Sequence, residues 1–162
     1  MPITVRSGMR LTPARLNDPA RGQAFSSAPQ TGVAAEAVSL TVTNMVFKAG
    51  WAYRAYLRGL LYASAAGVLA HFRLRQTGLG GADYGEYGRV EAKGSTVGTS
   101  VMVSGTVVLT RSAASDLTTD VALTVAASTG TVNVHASAAS PRYLSIEPIG
   151  PASEYLGLGV DV

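Results

Sequence analysis

From about Ala34 onward the chain is built of short runs in which apolar and polar residues alternate one by one. A period of two is the pattern of a strand with one buried and one exposed face. Val38, Leu40 and Val42 alternate with Ser39, Thr41 and Thr43. Tyr53, Ala55 and Leu57 alternate with Arg54, Tyr56 and Arg58, and Val68, Ala70, Phe72 and Leu74 with Leu69, His71, Arg73 and Arg75. Val101, Val103, Val107 and Leu109 share a face opposite Ser100, Ser104, Thr106 and Thr110. Val121, Leu123 and Val125 repeat the pattern, as do Val132, Val134 and Ala136. Leu144 and Ile146 point inward from a last strand after Pro141, and a short strand falls near Tyr84 to Ala92. Turn residues separate the runs: Lys48-Ala49-Gly50, Ala65-Ala66-Gly67, the loop Gly78-Leu79-Gly80-Gly81, and Gly94 with Gly98. Ser128-Thr129-Gly130 reads as a hairpin and Gly59 as a bulge. About eight short one-sided strands predict an all-β, antiparallel sandwich or barrel. The Ala- and Leu-rich segment 51–66 also fits helical spacing at Tyr53, Leu57, Leu60 and Leu61, and a helix there would make the fold α+β.

Composition narrows the function classes. At 162 residues the chain suits one domain with a sizeable core. It is 47% apolar and only 14% charged, against roughly 25% charged in an average domain, so Ser, Thr and Gly supply most of its polarity. With no cysteine, disulfides and thiolate zinc sites are excluded. The net charge of +3 comes with eleven Arg and two Lys spread along the chain, which argues against nucleic acid as a partner. The most apolar stretch, Leu60 to Phe72, is 13 residues long, short of the roughly 20 that a membrane helix needs, and no membrane partner is expected. The first residues lack the apolar core of a signal peptide.

Residues 1–32 hold four of the seven prolines and little periodicity, and read as an N-terminal arm. Within it Thr12 to Asn17 predicts one helical turn, with Pro13 at its first position. Leu11, Pro13, Arg15, Leu16 and Asn17 are its candidate anchoring residues. The sandwich is expected over 33–151, followed by an apolar C-terminal tail, 152–162, carrying Tyr155, Leu156, Leu158 and Val160.

Little in the chain points to catalysis. His71 and His135 are the only histidines and stand 64 residues apart; a zinc site would need further ligands nearby. No Gly-x-Ser-x-Gly elbow is present, and Gly78-Leu79-Gly80-Gly81 lacks the Lys-Ser/Thr of a phosphate loop. Asp83 with Glu86, and Asp116 with Asp120, lie around two loops but do not match a calcium-loop spacing, and read as solvated acids. No catalytic residue, metal or cofactor is expected, and the protein reads as a non-enzyme. If strands 51–58 and 68–76 pair as a hairpin, Arg54, Tyr56, Arg58, His71, Arg73 and Arg75 line one face. Such a face suits a subunit interface, a solvated surface, or a ligand site in which Arg and Tyr read an acidic partner or a sugar. In a carbohydrate-binding module the candidate sugar-stacking aromatics are Trp51, Tyr84 and Tyr87.

Three segments carry a resemblance. Ile3-Thr4-Val5-Arg6-Ser7-Gly8-Met9-Arg10-Leu11-Thr12-Pro13-Ala14-Arg15-Leu16-Asn17 looks like a short leader arm ending in a Leu-Asn element. Phe47-Lys48-Ala49-Gly50-Trp51-Ala52-Tyr53-Arg54-Ala55 looks like a strand–turn–aromatic unit, followed by the Arg-alternating Phe72-Arg73-Leu74-Arg75. Pro141 to Pro151 looks like a closing strand, with Pro148 where an acidic residue is expected. In these features the chain resembles small structural proteins of actinobacteriophages, described as minor tail, head-fibre or capsid-decoration proteins. The resemblance implies a jelly-roll-like sandwich, a homotrimer displayed on the virion surface, anchored by its arm to the major capsid protein or to tail proteins. In the alternative reading, a carbohydrate-binding module for host-surface attachment, the partner is a glycan of the host surface. The family carries no catalytic residues to transfer.

Overall fold

The computed structural model describes residues 20–162. The arm residues Leu11, Pro13, Arg15, Leu16 and Asn17 lie outside them. The described chain is an antiparallel β-sandwich of two sheets. Its strands are β1 (Gly22–Ser26), β2 (Gln30–Val33), β3 (Ala37–Phe47), β4 (Trp51–Ala63), β5 (Leu69–Gln76), β6 (Asp83–Glu91), β7 (Val101–Thr110), β8 (Leu117–Ala127), β9 (Val132–His135), β10 (Arg142–Pro151) and β11 (Val160–Asp161). The larger sheet runs β1-β10-β4-β7-β11, with β9 pairing both β4 and β2; the smaller runs β3-β8-β5-β6. The chain passes from one sheet to the other between β2 and β3, β3 and β4, β4 and β5, β6 and β7, β7 and β8, and β8 and β9. Repeated crossing of this kind gives the jelly-roll-like connectivity.

Alternation builds the core between the sheets. On β4, Tyr53, Ala55, Leu57, Leu61 and Ala63 are buried while Arg54, Tyr56 and Arg58 are exposed. On β5, Ala70, Phe72 and Leu74 point inward, joined by Leu123 and Val125 of the neighbouring β8, and from the opposing sheet come Leu109, Leu144 and Ile146. Phe47 and Tyr53 meet edge to face, 5.0 Å between centroids and 84° between planes, the geometry their quadrupoles favour. The Tyr53 hydroxyl accepts a hydrogen bond from the Lys48 N–H at 2.7 Å, so this buried hydroxyl is satisfied.

Segment 51–66 is therefore a strand and not a helix over Trp51–Ala63; period two wins because each second residue finds the opposing sheet. Gly59 is not a bulge: the β4–β7 register runs unbroken from Ala52↔Thr110 to Leu61↔Val101. Val38 is exposed, not inward, because the β3–β8 register slips by one between Val38 and Leu40 and reverses the face. Ser128-Thr129-Gly130 does not close a hairpin; it carries the chain from β8 in one sheet to β9 in the other.

Of the residues placed by the sequence in the arm, 22–26 enter the larger sheet as β1 against β10, and 30–32 as most of β2 against β9. The tail 152–162 forms a 3-10 turn over Ala152–Tyr155 and then β11, which pairs in parallel with β7. Ser112 holds this last strand, its N–H and hydroxyl donating to the Asp161 carboxylate at 2.8 and 2.6 Å.

Candidate functional site

The six residues grouped as one face are not brought together. Strands β4 and β5 belong to different sheets, so Arg54, Tyr56 and Arg58 lie on the outside of the larger sheet and His71, Arg73 and Arg75 on the outside of the smaller one. Alternation marks which residues face the core, but not from which side. The linker 64–68 has five residues, which reach roughly 16 Å, enough to span the roughly 10 Å between packed sheets. A hairpin and a crossing are equally open to such a linker.

On the smaller sheet the charges satisfy one another. Arg75 grips Glu36 in a two-point contact at 2.7 and 2.8 Å, and the Thr124 hydroxyl donates to the same carboxylate at 2.6 Å. Arg73 reaches Asp83 at 2.6 Å and Glu86 at 3.5 Å, while Arg89 donates to Glu86 at 2.7 Å and His71 stands 3.4 Å from it. The hydrogen bond from Arg75 is the main cause that holds the Glu36 carboxyl down at about 2, against the opposing pull of burial. Burial pushes Asp83 up, but the Gly85 N–H and the two arginines outweigh it and hold it low. Arg89 holds Glu86 low. Small residues on β8 make room for this ladder: Ala122 and Thr124, paired with Arg75 and Arg73, are almost fully covered, as expected where arginine stems lie across a strand.

The larger sheet presents a different surface. The register sets Phe25 beside Tyr143 beside Arg58, then Gln23 beside Ser145 beside Tyr56 beside Thr106, then Glu147 beside Arg54. Because cross-strand partners share a face, these side chains form one continuous outer surface over β1, β10, β4 and β7. Phe25 is 70% exposed and Tyr56 36%. Arg54 pairs with Glu147 at 3.3 Å, and Gln23 donates to the Tyr143 hydroxyl at 2.6 Å. Between the larger side chains, short Ser145 and Thr106 leave an open hollow of ≈ 500 Å³, walled by Arg54, Tyr56, Tyr143 and Glu147. Tyr143, Ser145 and Glu147 were legible as an outward set, since they alternate with the buried Leu144 and Ile146; nothing in the sequence put them beside β4.

The other expected residues fall elsewhere. Tyr84 and Tyr87 do not offer themselves to a sugar. The β5–β6 register skips a residue at each of them, and their hydroxyls are buried without a hydrogen-bond partner. Burial pushes both phenols up. Tyr87 packs where Gly105 has no side chain: a Cβ there would stand 3.1 Å from its ring. Trp51 is half-buried, packed at the start of β4 against the core. The loop acids have partners of their own. Asp116 takes the Lys48 ammonium and the Ala49 N–H, and Asp120 accepts from the Asn44 N–H. Among the described residues no cluster of three or more His, Asp or Glu is arranged to hold a metal ion, and no helix is long and apolar enough to cross a membrane. His71 and His135 lie on different sheets.

Fold and surface together define an antiparallel sandwich of jelly-roll connectivity with one self-neutralised face and one open aromatic–arginine face. No protein-family model matches the chain, and no curated protein matches it. Among solved structures it is similar to that of the infectious bursal disease virus Gt strain, at 14% identity and a TM-score of 0.48. It is also similar to T=1 particles derived from that virus, at 14% identity and 0.49. The match covers 94% of this chain in both, but only 43% and 41% of the viral chains. A third likeness is to the C-terminal CBM6 of LamC, a marine laminarinase from Zobellia galactanivorans, at 12% identity and 0.38, covering 79% of this chain and 99% of that one.

Proposed function

We propose that the protein is a structural subunit of a bacteriophage virion, non-enzymatic, working as a capsid-decoration or head-fibre protein. In this reading it forms a homotrimer on the particle surface, and its N-terminal arm anchors it to the major capsid protein; a minor tail protein is the alternative placement. The sequence resemblance to actinobacteriophage structural proteins supports it. The structural observation that carries it is the C-terminal tip. Leu156 and Leu158 are 76% and 75% exposed, beside an edge strand that is itself pinned to the sandwich by Ser112. Each leucine gains about 1.5–3 kcal/mol if a neighbour covers it, and an apolar tip repeated around an axis closes a symmetric ring without open ends.

Light scattering of the full chain tests the assembly. The expected mass is three protomers, falling to one in the Leu156→Ser, Leu158→Ser double variant with an unchanged melting profile. Full chain carrying Leu11→Ala and Leu16→Ala is expected to stay trimeric but to stop co-sedimenting with virus particles. A wild-type chain that is monomeric and absent from particles refutes the reading.

A further inference from the structure

The outer face of the larger sheet carries a chemistry of its own. We propose that it is a binding track for a hydroxyl-rich oligosaccharide, with Phe25, Tyr143 and Tyr56 as stacking surfaces and the Arg54–Glu147 pair as the polar reader. The proposal holds or fails independently of the virion reading. The three rings stand on three consecutive strands, Phe25 directly opposite Tyr143 and Tyr56 one step diagonal to it. Neighbouring strands are about 4.8 Å apart, so the rings advance across the sheet in steps comparable to one pyranose. A sugar ring offers an apolar C–H face and a rim of hydroxyls; the first suits an aromatic surface and the second needs donors and acceptors side by side. Arg54 and Glu147, 3.3 Å apart, supply the guanidinium N–H donors not spent on each other and a carboxylate acceptor at the wall of the hollow. Its ≈ 500 Å³ falls within the 300–1,000 Å³ typical of small-ligand sites.

The same residues disfavour the other occupants. A nucleic-acid strand also stacks on aromatics, but it needs a continuous basic groove along its phosphates, and here Glu147 pairs with Arg54 and repels phosphate, which leaves Arg58 as the other cation of the face. A flat protein interface buries its polar groups under a filled apolar centre, whereas here the centre is a hollow floored by Ser145 and Thr106.

Affinity gel electrophoresis of the full chain through arabinogalactan, laminarin, xylan and mannan tests this, with single-stranded dT30 as the contrasting probe in a mobility shift. At least one polysaccharide is expected to retard the protein, and dT30 to leave it unmoved. Tyr56→Ala and Glu147→Gln are expected to weaken that retardation tenfold or more. Arg89→Ala, on the opposite sheet, is expected to leave it unchanged. Thermal melts of each variant confirm the fold. Retardation by none of the four, binding of dT30 alone, or retardation untouched in both folded variants overturns the proposal. The oligomer mass, read on the same samples, reports on the virion reading separately.

Discussion

Replacing Glu36 by Gln isolates its two-point contact with Arg75. Glu36 sits just before β3 and accepts four interactions: two from Arg75, one from Thr124, and the field of Arg73. Its carboxyl is held at about 2 where 4.5 is ordinary, and a depression of that size corresponds to at most about 3.4 kcal/mol. The Glu36 side chain keeps 28% of its exposure and Arg75 16%, so solvent screening reduces this to about 1–2 kcal/mol. The folded-state pKa is lowered, so the stabilisation is complete above about pH 4.5 and drains away as the pH falls toward about 2. Glutamine matches the protonated acid in shape and charge. Urea titrations of wild type and Glu36→Gln are therefore expected to differ by about 1–2 kcal/mol at neutral pH and to converge near pH 2. Asp83 and Glu86 are also held low, but they titrate in both proteins and largely cancel in the difference. A gap that stays constant from neutral pH to about 2 refutes the assignment of the stabilisation to the ionised Glu36.

Other substitutions probe the packing and separate the two faces. Gly105→Val is expected to cost about 1–3 kcal/mol in thermal melts, because a Cβ at this position already meets the Tyr87 ring at 3.1 Å; an unchanged melting point contradicts the close approach. Tyr87→Phe removes a buried hydroxyl with no partner and is expected to stabilise the fold by about 1 kcal/mol, whereas a loss of stability reveals a partner for that group. Arg73→Ala takes a cation away from Asp83 and Glu86 and is expected to lower stability by about 1 kcal/mol without touching polysaccharide binding. Arg58→Ala, exposed on the larger sheet, is expected to stay within about 0.5 kcal/mol of wild type while weakening polysaccharide retardation.

Most of the strands were legible in the sequence because burial here is one-sided. Where a strand has a core face and a water face, period two is written into it, as in Tyr53-Arg54-Ala55-Tyr56-Leu57-Arg58. Legibility failed where the pattern was short or interrupted. Strand β11 has two residues, and β1 (GQAFS) and β2 (QTGV) carry no apolar alternation of the kind that marks the equally short β9. In β6 the inserted residues at Tyr84 and Tyr87 break the alternation and turn inward two aromatics that look exposed in a linear reading. Val38 fails for the same reason, at the slip beside Ser39.

The site was legible only in halves, and the reason lies in the connectivity. A hairpin keeps sequence neighbours side by side, so in a meander the two arginine-rich runs, 54–58 and 71–75, would form one surface. In a sandwich whose chain crosses between sheets at six of its ten described connections, β4 to β5 among them, the strands on either side of a crossing face outward in opposite directions. The partners of Arg54 and Tyr56 are then found some ninety residues away on β10, at Glu147 and Ser145. The two halves also meet different fates for a local reason. Arginines 73 and 75 stand beside β6 and the residue before β3, which bring Asp83, Glu86 and Glu36 within reach, and their charge is consumed in holding the sheet. Among the described residues, the outer face of β4 meets one carboxylate, Glu147, alongside tyrosines and short hydroxyl residues. Charge that is fully paired rigidifies a surface, while charge set among open rings and small side chains leaves bonding capacity unspent. That difference, more than the count of arginines, makes the larger sheet the face on which recognition is to be sought.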